Sequence, residues 1–172
     1  MNTDASTIND DGDSAGSSAD EGFLRQAVNL AVKNVADDGG PFGAVVVRDG
    51  EVIGTGQNRV TSDHDPSAHA EIMALRAAGQ RIGDFSMQGA TLYSSCEPCP
   101  MCMAAALWAR VDRVIYAADR HDAARGGFDD LAFYRMFESD RSEWTVPVEA
   151  MRVSDAGEPF ERWLSTASRT EY

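Results

Sequence analysis

The sequence predicts one α/β domain of three layers, with helices on both faces of a mixed sheet. Segments with a helical repeat alternate with short β-branched apolar runs, the pattern of packed helix and strand layers. Asp49-Gly50 lies between two such runs and signals a hairpin, which adds an antiparallel part to the sheet. The 172 residues, 43% of them hydrophobic, suffice for one buried core. No internal repeat or second domain interrupts the chain.

Residues 1–20 are Ser-, Asp-, Gly- and Ala-rich, with Ile8 the only large aliphatic after Met1. Such a stretch buries too little apolar surface to offset chain ordering and is expected to be a disordered acidic leader, with the domain spanning 21–172. From Glu21 a helix places Phe23, Ala27, Leu30, Ala31, Asn34 and Val35 on one face, and Asp37-Asp38-Gly39-Gly40 ends it. Phe42 to Arg48 and Glu51 to Gly56 are the hairpin strands. A polar stretch leads through Pro66 into a helix over 67–78. Ala90 to Ser95 is a strand, and Cys99 to Arg110 is a helix opened by Glu97-Pro98. Val111 to Ala118 is a strand, Leu131 to Glu138 a helix, Val146 to Val153 a fifth strand, and Glu158 to Ala167 a final helix.

The formal charge is −13, and the first 21 residues hold six acids and no base, leaving −7 to the rest. An acidic body repels phosphate backbones, so nucleic acid is not an expected partner. Lys33 is the only lysine beside fourteen arginines. That bias suits a salt-rich cytoplasm, where screening is strong, and equally suits a bias in genomic base composition. No run of eighteen apolar residues and no basic-then-apolar start is present, so a cytoplasmic protein without membrane contact is expected.

Cys96, Cys99 and Cys102 fall within seven residues, a poor disulfide framework that points to metal or catalysis instead. Cys99 and Cys102 stand three apart at the start of a helix, so both sulfurs lie on one face and can hold one ion. The helix N-terminus favours their thiolates. His69 opens the other helix and adds a third ligand. One imidazole and two thiolates suit zinc and leave the fourth tetrahedral position to water. Glu71, two residues past His69, can reach that water without coordinating the ion. A carboxylate there takes the water's proton, passes it to a ring nitrogen and later protonates a leaving amine.

His-x-Glu followed by Pro-Cys-x-x-Cys is the signature of zinc nucleobase deaminases. The competing assignment is a structural zinc with Cys96 as fourth ligand, a site that has no need of an acid at position 71.

Over residues 23–118 the chain resembles the cytidine-deaminase-like superfamily, in the branch holding bacterial guanine deaminases and tRNA adenosine deaminases. The landmarks are Pro41-Phe42-Gly43-Ala44-Val45-Val46-Val47, Asn58, His69-Ala70-Glu71 and Cys96-Glu97-Pro98-Cys99-Pro100-Met101-Cys102. Asp122-Ala123-Ala124, Gly127-Phe128-Asp129-Asp130, Pro159-Phe160, Trp163 and Glu171-Tyr172 extend the resemblance to the guanine deaminase family. The resemblance implies a central five-stranded mixed sheet, one zinc per subunit, and a homodimer whose swapped C-terminal segments close each other's sites. It implies a purine substrate, with Asn58 hydrogen-bonded to the base, Phe42 on its face, and Ala70 and Trp108 lining the pocket. Asp130 would contact the base near its amine and assist proton transfer, and Tyr172 would reach across from the neighbouring subunit. Read without the resemblance, Phe42 and Trp108 suit plain core, Asn58 a turn, Asp129-Asp130 a helix cap, and Tyr172 a frayed end. His64 and His121 read as surface loop residues.

Overall fold

The computed structural model describes residues 11–172, with side chains from Ser18 onward. Helix α1 (Asp11–Ala36) leads into the hairpin β1 (Gly43–Arg48) and β2 (Glu51–Gln57), and a single turn, α2 (Val60–Asp63), precedes α3 (Ala70–Ile82). Then come β3 (Ala90–Cys96), α4 (Pro100–Trp108), β4 (Arg113–Ala118), α5 (Arg120–Arg125), α6 (Asp130–Glu138) and α7 (Glu158–Ser165). The described sheet runs β2-β1-β3-β4. β1 is antiparallel to both β2 and β3, with Ala44 opposite Ser94, and β3 is parallel to β4. The mixed sheet predicted by the hairpin and the helical crossover is therefore present.

Alternation along β1 builds the layers. Val45 and Val47 face Ala27 of α1 and Tyr93, while Ala44 and Val46 face Ala70, Ala74 and Ala78 of α3 with Leu92 and Ala106. Two glycines set the depth of this packing. A Cβ on Gly43 would stand 2.4 Å from the carbonyl oxygen of Ala27, and one on Gly56 would stand 2.0 Å from that of Ala70. Both helices thus rest backbone-on-backbone against the sheet, which only glycine permits.

Three expectations change. The sheet has four strands among the described residues, not five, because 146–153 forms no strand. Val146, Val148 and Val153 are exposed and Met151 is 90% exposed; an alternating run that finds no sheet edge has nothing to stabilise it. Helix α1 begins at Asp11, so the second half of the expected leader is helical, and Asp20 bonds to Tyr93 and Arg113. The expectation for residues 1–10 lies outside the described residues. Val35, assigned to the inward face of α1, is exposed, whereas Ala27, Ala31 and Asn34 are buried. Among the described residues no helix is long and apolar enough to cross a membrane.

Candidate active site

The N-termini of α3 and α4 converge, and the residue capping each supplies a donor. His69 and Cys99 occupy the two N-cap positions in extended backbone, and neither spends its side chain on capping its own helix. Pro100 follows Cys99 in the first turn, where its missing N–H costs nothing. Cys102, three residues on, is fully buried on the same side. His69 Nδ1 stands 3.6 Å from Cys99 Sγ and 3.5 Å from Cys102 Sγ.

These distances test the metal directly. A tetrahedral zinc with bonds of about 2.0 Å to nitrogen and about 2.3 Å to sulfur requires N···S edges of roughly 3.5 Å. The three ligand atoms all lie within 4.8 Å of one another, the one group of three such donors among the described residues. One imidazole and two thiols at these spacings fit zinc.

The thiols are not equivalent. Hydrogen bonding from Cys102, then from His69, lowers the Cys99 thiol to about 4. Cys102 is pushed upward by the same Cys99 bond, by burial and by Glu71. The His69 imidazole is raised, chiefly by its bond with Cys99. Cys96 lies outside the cluster. Its thiol reaches the Asp119 carbonyl at 3.5 Å, and burial pushes it up to about 12, the state of an inert buried thiol. A four-ligand structural site using Cys96 is therefore not built.

Glu71 lies in the first turn of α3, almost fully buried, and burial raises its carboxyl above the usual carboxylate range. Ser94 Oγ on β3 donates to Glu71 Oε1 at 3.3 Å. Sequence reading missed Ser94, whose only signal is a polar pair, Ser94-Ser95, within an otherwise apolar strand end. Ser95 is also used: its Oγ accepts from the backbone N–H of Gly43 at 3.0 Å.

Phe42 and Asn58 stand together, joined through the backbone. The N–H of Asn58 donates to the Phe42 carbonyl at 3.2 Å, and Asn34 Nδ2 donates to the carbonyls of Asn58 and Gly40, each at 2.8 Å. Asn58 Oδ1 accepts from Val60 N–H at 3.3 Å, the turn contact its residue type suggests. Phe42 packs against the α3 face of the sheet and meets Phe128 edge-on, with centroids 4.7 Å apart. That contact ties the 128–130 segment to Phe42. Asp130, half-buried at the start of α6, has its carboxyl raised by burial and then by the negative Cys99. Asp129 caps α6 without a side-chain bond. Ala70 is fully buried beside Glu71.

Trp108 and Tyr172 lie elsewhere in the chain. Trp108 ends α4, whose opposite end carries Cys99, and is 60% exposed. Tyr172 packs at 6.0 Å from Trp108, 6.2 Å from Phe85 and 6.4 Å from Trp163. A hollow of about 450 Å³ between Trp108, Pro159, Phe160, Trp163, Glu171 and Tyr172 belongs to this second aromatic cluster. Beside the metal ligands a separate apolar hollow of about 330 Å³ is lined by His69, Cys99, Phe133 and Phe137, among others, but not by Phe42, Asn58 or Asp130.

Known proteins agree with this geometry. Residues 17–118 match the family described as the cytidine and deoxycytidylate deaminase zinc-binding region. Guanine deaminase of Bacillus subtilis is 46% identical over 153 residues, 88% of this chain and 98% of that protein. The X-ray structure of guanine deaminase from B. subtilis superposes with a TM-score of 0.84 at 45% identity, again covering 88% and 98%. Guanine deaminase from Nitrosomonas europaea gives a TM-score of 0.60 at 35% identity over 63% of each chain. A tRNA-specific adenosine deaminase of Streptococcus pyogenes is 35% identical over 127 residues, 74% of this chain and 72% of that one. With its His69, Cys99 and Cys102 donors and the Glu71 acid all inside the matched region, the chain belongs to the zinc-binding cytidine and deoxycytidylate deaminase family.

Proposed function

We propose that this protein hydrolyses guanine to xanthine and ammonia. The observation that carries the reading is the near full-length agreement with the B. subtilis guanine deaminase, in sequence and in backbone. The tRNA-specific relatives match less of the chain at lower identity, and the net charge of −13 opposes binding to a polynucleotide.

When held by His69, Cys99 and Cys102, zinc supplies the Lewis acidity that makes a water molecule nucleophilic near neutral pH. The protein's own groups do the remainder. Glu71 takes one proton of the attacking water on its carboxylate and delivers it to a ring nitrogen of the purine. It then takes the proton of the hydroxyl newly bonded to carbon and gives it to the amine, which leaves as ammonia as the C–N bond breaks and the carbonyl forms. Ser94 holds Glu71 Oε1 in place. Phe42 packs on the face of the base, Asn58 hydrogen-bonds its edge, and Ala70 lines the floor. Asp130 faces the amine and assists proton transfer.

In this reading Trp108 helps line the pocket and Tyr172 reaches across from a second subunit. No residue of α7 is buried, and Val146, Met151, Phe160 and Leu164 are all exposed. So much uncovered apolar surface fits a C-terminal segment that packs on a partner in a homodimer and closes the partner's site. Closure keeps bulk water from the reacting centre. Three free thiols, two of them ligands, fit a reducing cytoplasm.

The test is ammonia release by zinc-loaded protein from guanine, guanosine, adenine, cytosine and cytidine. Release from guanine alone is expected. Release from cytidine or adenine without guanine would overturn the substrate and spare the zinc chemistry.

A further inference from the structure

Helix α6 has no buried residue, yet it carries Asp130. Besides the apolar contacts of Phe133 and Phe137, it is tied to the rest of the protein by a side-chain hydrogen bond of Tyr134, one turn after Asp130 and on the same helix face. The Tyr134 hydroxyl donates to the Pro98 carbonyl at 2.6 Å, and Pro98 is fully buried immediately before the ligand Cys99. One bond thus joins the helix bearing Asp130 to the loop bearing a metal ligand.

The Tyr134 ring is itself fixed. The Arg120 guanidinium carbon sits 3.5 Å from the ring centroid. Arg120 grips Glu97 with its side chain, through Nε at 2.9 Å and through a second guanidinium nitrogen. The Arg120 backbone N–H donates to the same carboxylate at 3.1 Å. The Glu97 N–H donates to the Ala118 carbonyl at the end of β4 at 2.8 Å. The pair is largely removed from solvent, with Glu97 11% exposed. Sheet, ligand loop, α5 and α6 therefore meet in one closed frame, and among the described residues Tyr134 is the only α6 side chain hydrogen-bonded to it.

We propose that Tyr134 is a positioning residue: its hydroxyl, braced by Arg120 and Glu97, fixes α6 on the metal-ligand loop and so sets Asp130 over the reacting amine. The proposal rests on the reading that Asp130 faces the base. A ring that merely filled space would act equally well without its hydroxyl.

Tyr134→Phe keeps the ring and the cation–π contact and removes only that hydroxyl. Full-length, zinc-loaded Tyr134→Phe, Asp130→Asn and the double variant are compared on guanine. The expected result is a fall in kcat of about tenfold in Tyr134→Phe, with KM within about twofold and zinc content unchanged. The double variant is expected to be no slower than Asp130→Asn alone, since both changes act through one carboxylate. Additive losses, an unchanged kcat, or a loss carried by KM alone overturn the proposal. Hydrogen exchange reads the same claim without turnover. Amides of 130–138 are expected to exchange faster in Tyr134→Phe, in metal-free and zinc-loaded protein alike, while those of α1 and α3 do not change; equal protection over 130–138 overturns it. Wild-type protein inert toward guanine, with the exchange difference intact, would defeat the guanine reading and leave the positioning claim standing.

Discussion

The two halves of this protein are built on opposite terms. Between Gly43 and Cys102 the donors sit on helix ends pressed against a sheet, with Cys102 fully buried and Glu71 nearly so. From residue 145 onward the chain leaves its apolar side chains in solvent, and Tyr172 is 70% exposed. The first region brings the three metal donors and the buried Glu71 together within one chain. The second has apolar surface and aromatic rings but no buried side chain, the observation on which the proposed packing against another subunit rests. The proposed function assigns hydrolysis to the first region and, through the proposed exchange of C-terminal segments, closure over a free purine to the second.

Variants can break this division, beginning with the largest effect. Glu71→Gln is expected to lower kcat on guanine about a thousandfold with zinc content unchanged, read by ammonia release and metal analysis. Retained activity would remove Glu71 from the chemistry. Cys102→Ser is expected to weaken zinc binding on the order of a hundredfold in chelator competition, whereas Cys96→Ser keeps one zinc per chain. Equal losses in the two would restore Cys96 as a ligand. Deleting residues 166–172 should lower kcat/KM on guanine by about ten- to a hundredfold while the thermal unfolding of the core changes little.

The smallest effect concerns the brace between α1 and the sheet. The Tyr93 hydroxyl, then Arg113, hold the Asp20 carboxyl below its usual range. A lowered carboxylate contributes stability above its unfolded value of about 4, and that contribution is lost as pH falls through the lower folded value. Asp20→Asn should therefore cost less than about 1 kcal/mol at pH 7 and progressively less as pH falls through the lowered folded value, read by denaturant unfolding. A penalty that persists in acid would assign the loss to packing.

The metal centre was legible in the sequence because zinc dictates residue types at fixed spacings. His69, Cys99 and Cys102 stand where those spacings require, and the hairpin at Asp49-Gly50 was marked by its turn residues. Distant pairings were not legible. Asp20 finds Tyr93 and Arg113 at separations of 73 and 93 residues, so a polar leader gave no sign of being anchored. The alternation at Val146 and Val148 reads as a strand, but a strand exists only against an edge, and local pattern does not say whether one is available. Val35 shows the limit of helical periodicity, since a stripe predicts a face and not its width. Ser94, Arg120 and Tyr134 act through partners 23 to 36 residues away and carry no motif at all.

The most direct test of the division combines its two halves in one sample. Glu71→Ala full-length protein and an otherwise wild-type chain lacking residues 166–172 are unfolded together, refolded with zinc and assayed on guanine. The Glu71→Ala parent is expected to be nearly inactive and the truncated parent about ten- to a hundredfold slow, and the mixture to release more ammonia than the two refolded separately, because an intact Glu71 centre would be closed by the other chain's C-terminal segment. A mixture no more active than its parents would contradict the exchange of C-terminal segments between subunits.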